Sequence, residues 1–376
     1  MRRTPALIVG GGPAGAAAAI MLARAGAPHM LLERTLETND AICGGFLSWR
    51  SLETLAGLGV EPDALATTRV TRLRVFAGTQ YLETALPRPA IGVSRRHLDT
   101  LLLACAAKAG AAIERGVVVR QIAGTTARLD DDTEIASDAL LLASGKHDVR
   151  GVARPVDARG SDPTLGLRTR LGPSSALDAA VGDAIELHLF DRGYAGLVRQ
   201  EDGSANLCMA VHRSRLHEAG TPAKLLEMLG AEQPQLGERL AWRANGAPID
   251  AIANVPYGWR ARATGSGLFR LGDQAGVIPS LAGEGMGIAL ASGVRAAQAL
   301  LAGGPAAAGA YQARLASDLA RPIGLAGLIR AIAESPPGAR AALPIARTMP
   351  FLVHIIARAT RINHSRLDVT GPRRES

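Results

Sequence analysis

Aromatic side chains are scarce in this chain of 376 residues, which has three Trp, four Tyr and five Phe. Surfaces on which bases could stack are few, and Ala, Leu, Val and Gly must pack the core. Lysine is scarcer still: only Lys108, Lys146 and Lys224 occur, so the cationic side chains are almost all Arg. A net charge of +8 would suit nucleic acid, but the arginines are scattered and no nucleic-acid motif accompanies them, so no such partner is expected. Cys43, Cys105 and Cys208 are widely spaced and odd in number. They suggest neither a disulfide framework nor a metal cluster, and they fit a reducing cytoplasm. No His/Cys/carboxylate cluster points to a metal, and no nucleophilic triad is suggested. No uninterrupted apolar run of about 18 residues marks a membrane span. The opening MRRTPALIVGGG is basic then apolar, like a signal peptide. Its apolar run leads directly into a glycine turn that needs it as a strand, so the export reading is rejected.

That turn is the first positive signal. In ALIVGGGPAGAAAAIMLARAG, residues 6–26, a buried-strand run meets Gly10-x-Gly12-x-x-Gly15 and then an apolar helix. Gly10 permits a tight turn, Gly12 lets backbone approach a pyrophosphate, and Gly15 lets helix pack on strand. The run HMLLE ends in Glu33, 18 residues after Gly15, where an acid can bond a ribose hydroxyl. Strand, turn, helix and acid together predict a bound dinucleotide.

A second signal lies far downstream in RLGDQAGVIPSLAGEGMGIALASG, residues 270–293. An acid, a proline and three glycines precede an Ala-rich helix, whose start would offer free N–H groups to negative charge. Between the two signals, residues 70–86 alternate like exposed strands. Residues 93–111 read as a helix, and the stretch from 116 to 145 as a meander ending in a buried strand at Leu140–Ala143. Residues 152–259 return to strands, interrupted by a helix around 222–231.

These motifs resemble the flavoprotein superfamily that holds the aromatic hydroxylases and the geranylgeranyl reductases. The resemblance covers roughly residues 5–320 and includes SRRHLD, with Arg95, Leu98 and Asp99 in register with that superfamily's helix entry. It implies an α/β fold in which a Rossmann-like FAD-binding domain (1–69, 93–151 and 260–320) interleaves with a mostly antiparallel β-sheet substrate domain (70–92 and 152–259). A helical C-terminal segment, 321–376, follows. It further implies that Gly10, Gly12, Pro13, Ala14, Gly15, Glu33 and Arg34 hold the ADP half of FAD. Gly272 and Asp273 would take the ribityl chain, and Pro279, Gly283, Glu284, Gly285 and Met286 would face the isoalloxazine. Arg95 and Gly145 complete the expected cofactor site.

Two departures bear on the reaction. The hydroxylase branch carries Ala-Asp-Gly where this chain has Ala143-Ser144-Gly145, which puts nicotinamide docking in question. Cys43, Gly44 and Gly45 instead match a segment frequent in the geranylgeranyl-reductase branch, and they are the candidate catalytic positions. The leading expectation is an FAD monooxygenase driven by NAD(P)H, hydroxylating an apolar aromatic, polyketide-like or lipid substrate. The alternative is reduction of prenyl double bonds, and the remote one is a non-catalytic lipid binder. On a helical wheel Met349, Leu352, Val353 and Ile356 gather opposite Arg347, His354, Arg358 and Arg361. This face is expected either to pack on the body over the substrate cavity or to touch an anionic membrane peripherally.

Overall fold

A computed structural model describes residues 2–66 and 68–363. The last part of the C-terminal segment expected over 321–376, residues 364–376, lies outside the described residues.

The first sheet grows around Arg2–Val9, which pairs in parallel with Met30–Glu33 on one side and Glu134–Leu142 on the other. Its centre (Leu7, Ile8, Leu140, Leu141) is wholly buried, as the continuous apolar runs require when both faces are covered: the helices pack on the side of Ile8 and Leu141, and Ile122, Ala127, Leu129, Val149 and Val152 on the side of Leu7 and Leu140. Ala112–Arg115 extends one edge, and the antiparallel pair Val119–Ala123 and Thr126–Leu129 the other. The late strand Leu268–Arg270 returns to lie parallel against Glu134–Leu142, with Leu268 opposite Leu140. Distant parts of the chain therefore build one sheet, and the carboxyl ends of its parallel strands open on one side.

Helix Pro13–Arg24 follows the first strand, and helix Gly285–Gly303 packs across it. At Gly293 a Cβ would stand 2.2 Å from the carbonyl oxygen of Ala14, so only glycine allows this approach. Helix Gly285–Gly303 is long and apolar enough to cross a membrane, but the face containing Ile288, Ala291 and Val294 is buried in the core beside Ala17 and Met21. Its hydrophobicity serves internal packing.

The second sheet has eight strands in the order Asp250–Val255, Thr164–Leu171, Ala205–His212, Gly193–Arg199, Ala184–Phe190, Arg69–Ala77, Gln80–Gly92 and Phe46–Leu47. All neighbours are antiparallel except Ala184–Phe190 with Arg69–Ala77. Helices Arg213–Ala219, Pro222–Glu232 and Pro234–Leu240 follow the strand Ala205–His212, where sequence reading expected one helix around 222–231. The two-residue strand Phe46–Leu47 was not expected from sequence either. It pairs with Ile91 and Gly92 and carries the Cys-Gly-Gly loop to the seam between the sheets.

The C-terminal segment forms three helices, Ala308–Ala333, Pro336–Thr348 and Pro350–Ala359. Leu343, Ala339 and Val353 pack beside Leu82, Leu189 and Tyr194 of the second sheet. Arg361 departs from its expected place on the polar face of the last helix. It follows that helix and is buried, with its guanidinium against Glu284 and Ala282.

Candidate functional site

The first-strand turn is shaped by steric necessity. Gly10 has φ of +107°, and a Cβ there would meet the Ala143 carbonyl oxygen at 2.4 Å. A Cβ on Gly15 would stand 1.9 Å from the Gly10 carbonyl oxygen. Both glycines act through the chain's own backbone. Gly12 differs: a Cβ there would have only the Arg95 guanidinium within 4 Å, and the residue lines a cavity. Helix Pro13–Arg24 has no side-chain cap on its first turn, so its N–H groups remain available to an anion.

The second motif opens on the same cavity. Gly272, Asp273, Gly283, Gly285 and Met286 line it beside Gly12, Pro13, Ala14, Arg95 and Gly145, and helix Gly285–Gly303 likewise starts without a side-chain cap. Two uncapped helix starts, one of them beside a cradle left open at glycine, fit the phosphates and polar edge of a dinucleotide such as FAD. Glu33 stands behind this wall. Its Oε2 accepts from the Gly11 N–H at 2.7 Å, and its Oε1 accepts from the N–H and hydroxyl of Thr35. A lone pair remains on Oε2 for a ribose hydroxyl. Arg34 sits further out, 2.9 Å from His147 Nε2.

Charge is concentrated at this end. Lys146 Nζ lies 3.4 Å from Asp273 Oδ2, and that carboxylate raises the ammonium's pKa against the effect of burial. Arg95 forms a two-pronged pair with Asp99 at 2.8 and 2.6 Å. Burial opposes its charge, but the neighbouring carboxylate more than offsets this and the pKa rises. Arg154, which sequence reading did not single out, joins the turns: it donates to Asp148, to the Lys146 carbonyl and to the Asp273 carbonyl.

Of the residues expected to face the isoalloxazine, two do not line the cavity. Pro279 is buried and opens the turn Ser280–Ala282. Glu284 is 0% exposed and directs its carboxylate into the body. There it accepts from Ser48 Oγ at 3.2 Å and the Ile362 N–H at 3.3 Å, and it pairs with Arg361 at 3.3 Å. The Arg361 guanidinium also covers the Trp49 ring. Glu284 thus anchors the cofactor loop from behind, and the C-terminal residues hold the anchor.

Beyond the loop the cavity runs between the sheets. Ile185, Leu187, Met209, Ile252, Val255 and Val277 supply its apolar walls, and the whole space, open mouth included, is about 1330 Å³. Cys43, Gly44 and Gly45 line the junction of the two ends, where the buried Asn206 amide donates to the Cys43 and Gly44 carbonyls at 2.9 and 3.0 Å. Cys208 faces the same space. Burial, and secondarily Cys43, pushes its thiol up to about 12, so it stays protonated at neutral pH. Three hydroxyls complete the wall: Ser280 Oγ lies 2.6 Å from Tyr194 Oη and accepts from Tyr257 Oη at 2.8 Å. Burial raises both phenols, Tyr257 to about 12. Among the described residues no group of His, Cys, Asp and Glu could hold a metal ion.

None of Asn206, Cys208, Tyr194, Tyr257, Ser280 and Lys146 was selected from sequence. Only Lys146, one of three lysines and adjacent to Gly145, carried a local signal.

Residues 3–150 match the FAD binding domain family. Digeranylgeranylglycerophospholipid reductase 2 of Methanopyrus kandleri is 27% identical over 308 residues, 76% of this chain and 74% of that protein. A geranylgeranyl bacteriochlorophyll reductase-like structure from Thermoplasma acidophilum superposes with a TM-score of 0.75 at 19% identity, covering 96% of this chain and 97% of that one. The structure of pqsL, described as a probable FAD-dependent monooxygenase from Pseudomonas aeruginosa, shares the fold with a TM-score of 0.70 at 16% identity, covering 91% and 99%.

Proposed function

Since the chain belongs to the FAD-dependent oxidoreductases of the geranylgeranyl reductase and aromatic hydroxylase superfamily, we propose that it saturates carbon–carbon double bonds in a prenyl or similar lipid chain. The distribution of charge in the cavity carries this reading. Arg95, Lys146 and Asp273 stand at the dinucleotide end, whereas the far walls are aliphatic apart from thiols, hydroxyls and one phenyl ring. Hydroxylating a phenol is helped by a base that takes its proton, and among the described residues no carboxylate or imidazole lines the far walls. An alkene needs only an apolar slot and a proton.

When bound and reduced by its donor, FAD would supply a hydride to one carbon of the double bond, and a proton held by the protein would complete the other. The chain's residues do the remainder. The two uncapped helix starts and Lys146 bind the anionic cofactor, and Asp273 and Glu33 accept from its hydroxyls. The second-sheet aliphatics exclude water and align the chain of the substrate. Tyr257 Oη and Tyr194 Oη hold protons at the far wall; their raised pKa values keep both phenols neutral, and Ser280 joins them. The Cys-Gly-Gly junction and the reductase relative support the same reading. NAD(P)H is the proposed electron donor.

Hydroxylation is the second reading, favoured by the fold shared with a monooxygenase. The two are separated by photoreducing the FAD-loaded protein without oxygen in the presence of a geranylgeranyl lipid and weighing the product. A gain of two hydrogens per double bond is expected. No saturation without oxygen, with an oxygen atom added in air, would replace reduction by hydroxylation. Photoreduction makes the outcome independent of the natural donor.

A further inference from the structure

Most of the large apolar side chains left in water occupy one part of this molecule. Seven of the eleven exposed large hydrophobics among the described residues fall between Leu328 and Ile356. Leu328 and Ile332 come from helix Ala308–Ala333, Ile345 from Pro336–Thr348, and Phe351, Ile355 and Ile356 from Pro350–Ala359; Met349 joins the last two helices. Helix Pro350–Ala359 has no buried residue, although seven of its ten residues (Phe351, Leu352, Val353, Ile355, Ile356, Ala357 and Ala359) are apolar. Leu352 and Val353 are the half-buried side, while Phe351 and Ile355 are 53% and 55% exposed. Scattered exposed leucines need no explanation, but a contiguous patch does.

The exposed charges that these helices themselves carry over residues 335–359 have one sign. No Asp or Glu occurs between Glu334 and Asp368, and Arg340, Arg347 and Arg358 stand exposed among the apolar residues. The one acid within residues 328–358, Glu334, is only 10% exposed and is held by Arg330 and His212. Arginine therefore sets the charge among the exposed apolar side chains, a combination complementary to an anionic lipid surface, where guanidinium meets phosphate and the apolar residues enter the acyl boundary. The inner side of the same helices forms the outer wall of the substrate space: Ala333, Ala339, Leu343, Ala346 and Val353 pack with Leu187, Tyr194, Tyr257 and Leu281, all four of which line the cavity.

We propose that the surface formed by residues 328–358 seats on an anionic bilayer, with the substrate cavity directly behind it. Membrane seating stands on the exposed patch and its charge. The use of that seat to take substrate from the bilayer rests on the proposed lipid reading of the cavity.

The test is co-sedimentation of the full FAD-loaded chain with phosphatidylcholine vesicles, with and without phosphatidylglycerol, at low and high salt. Arg347→Glu/Arg358→Glu and Phe351→Ser/Ile355→Ser are compared with wild type. These side chains are exposed, so FAD content and melting temperature should be unchanged, which checks the fold without using turnover. Wild type is expected to sediment with the anionic vesicles at low salt and to be released by high salt. The charge variant should lose about tenfold or more in partition, and the serine variant should also fail. Equal recovery in solution for every protein would overturn the proposal. So would light scattering that shows a dimer dissolved by Phe351→Ser/Ile355→Ser, combined with no vesicle binding, because the patch would then join two copies of this chain. Loss of reductase activity with vesicle binding retained would count against the proposed reaction alone.

Discussion

Gly12 and Asp273 illustrate two ways in which a single residue can serve a cofactor. Gly12 contributes by the absence of a side chain, so Gly12→Val should fill the phosphate space and leave the purified protein colourless. Asp273 contributes an acceptor, so Asp273→Ala should weaken FAD by roughly ten- to a hundredfold, the worth of a charge-assisted hydrogen bond. Flavin fluorescence titration reads both variants. The phenols separate binding from proton supply. Tyr194→Phe/Tyr257→Phe should retain FAD and substrate affinity while kcat falls roughly a hundredfold or more, the usual contribution of a positioned acid. Cys208 should resist iodoacetamide at pH 8, with its alkylation rate still climbing at pH 10, because burial holds the thiol up to about 12; intact mass after timed quenching follows it.

At the scale of elements, the ion pair Glu284–Arg361 ties the start of one helix to the residue just beyond another. Both side chains are almost wholly buried, at 0% and 4% exposed. Arg361→Met leaves the carboxylate without its cation and should cost about 3–5 kcal/mol, measured by urea unfolding; adding Glu284→Gln should restore part of the loss. A second buried acid gives a pH signature. On strand Ala184–Phe190, Glu186 is 0% exposed; burial would raise its pKa, but bonds from His188 and Arg239 win and lower it to about 2. The native state therefore holds that proton less tightly than the unfolded chain. Its stabilisation is complete above about pH 4.5 and is lost as pH falls toward about 2, an effect on the order of 3 kcal/mol. Glu186→Gln should flatten that part of the stability profile. Sequence reading reached the glycine turns because their constraints fall within a few neighbouring residues: strand, turn and helix are written consecutively. It missed Asn206 beneath Cys43, Arg361 behind Glu284 and the tyrosine pair beside Ser280, because partners 23 to 163 residues apart leave no local pattern. The helical wheel found the amphipathic character of the last helix, but placed Arg361 on its polar face because a wheel assumes that the helix continues. It stops at Ala359.

Across the whole molecule, the cofactor crevice draws on three distant parts of the chain: the turn at Gly10–Gly15, the loop from Gly272 to Gly285, and residues 360–363, which brace that loop. In the last of these, Arg50 donates to the Ile362 carbonyl at 2.8 Å, and Arg295 reaches the Asn363 carbonyl. The net charge of +8 adds long-range attraction toward anionic surfaces, so lowering the ionic strength should accelerate the association with phosphatidylglycerol vesicles in stopped-flow measurements. The brace also has a consequence for biosynthesis. A ribosome releases the first glycine turn early, yet the loop it faces emerges some 260 residues later and the brace later still. A nascent chain stalled before residue 360 should therefore lack the bracing contacts and hold flavin weakly, and one stalled after residue 363 has emerged should hold it tightly. Cofactor capture becomes a checkpoint on completed translation through that point.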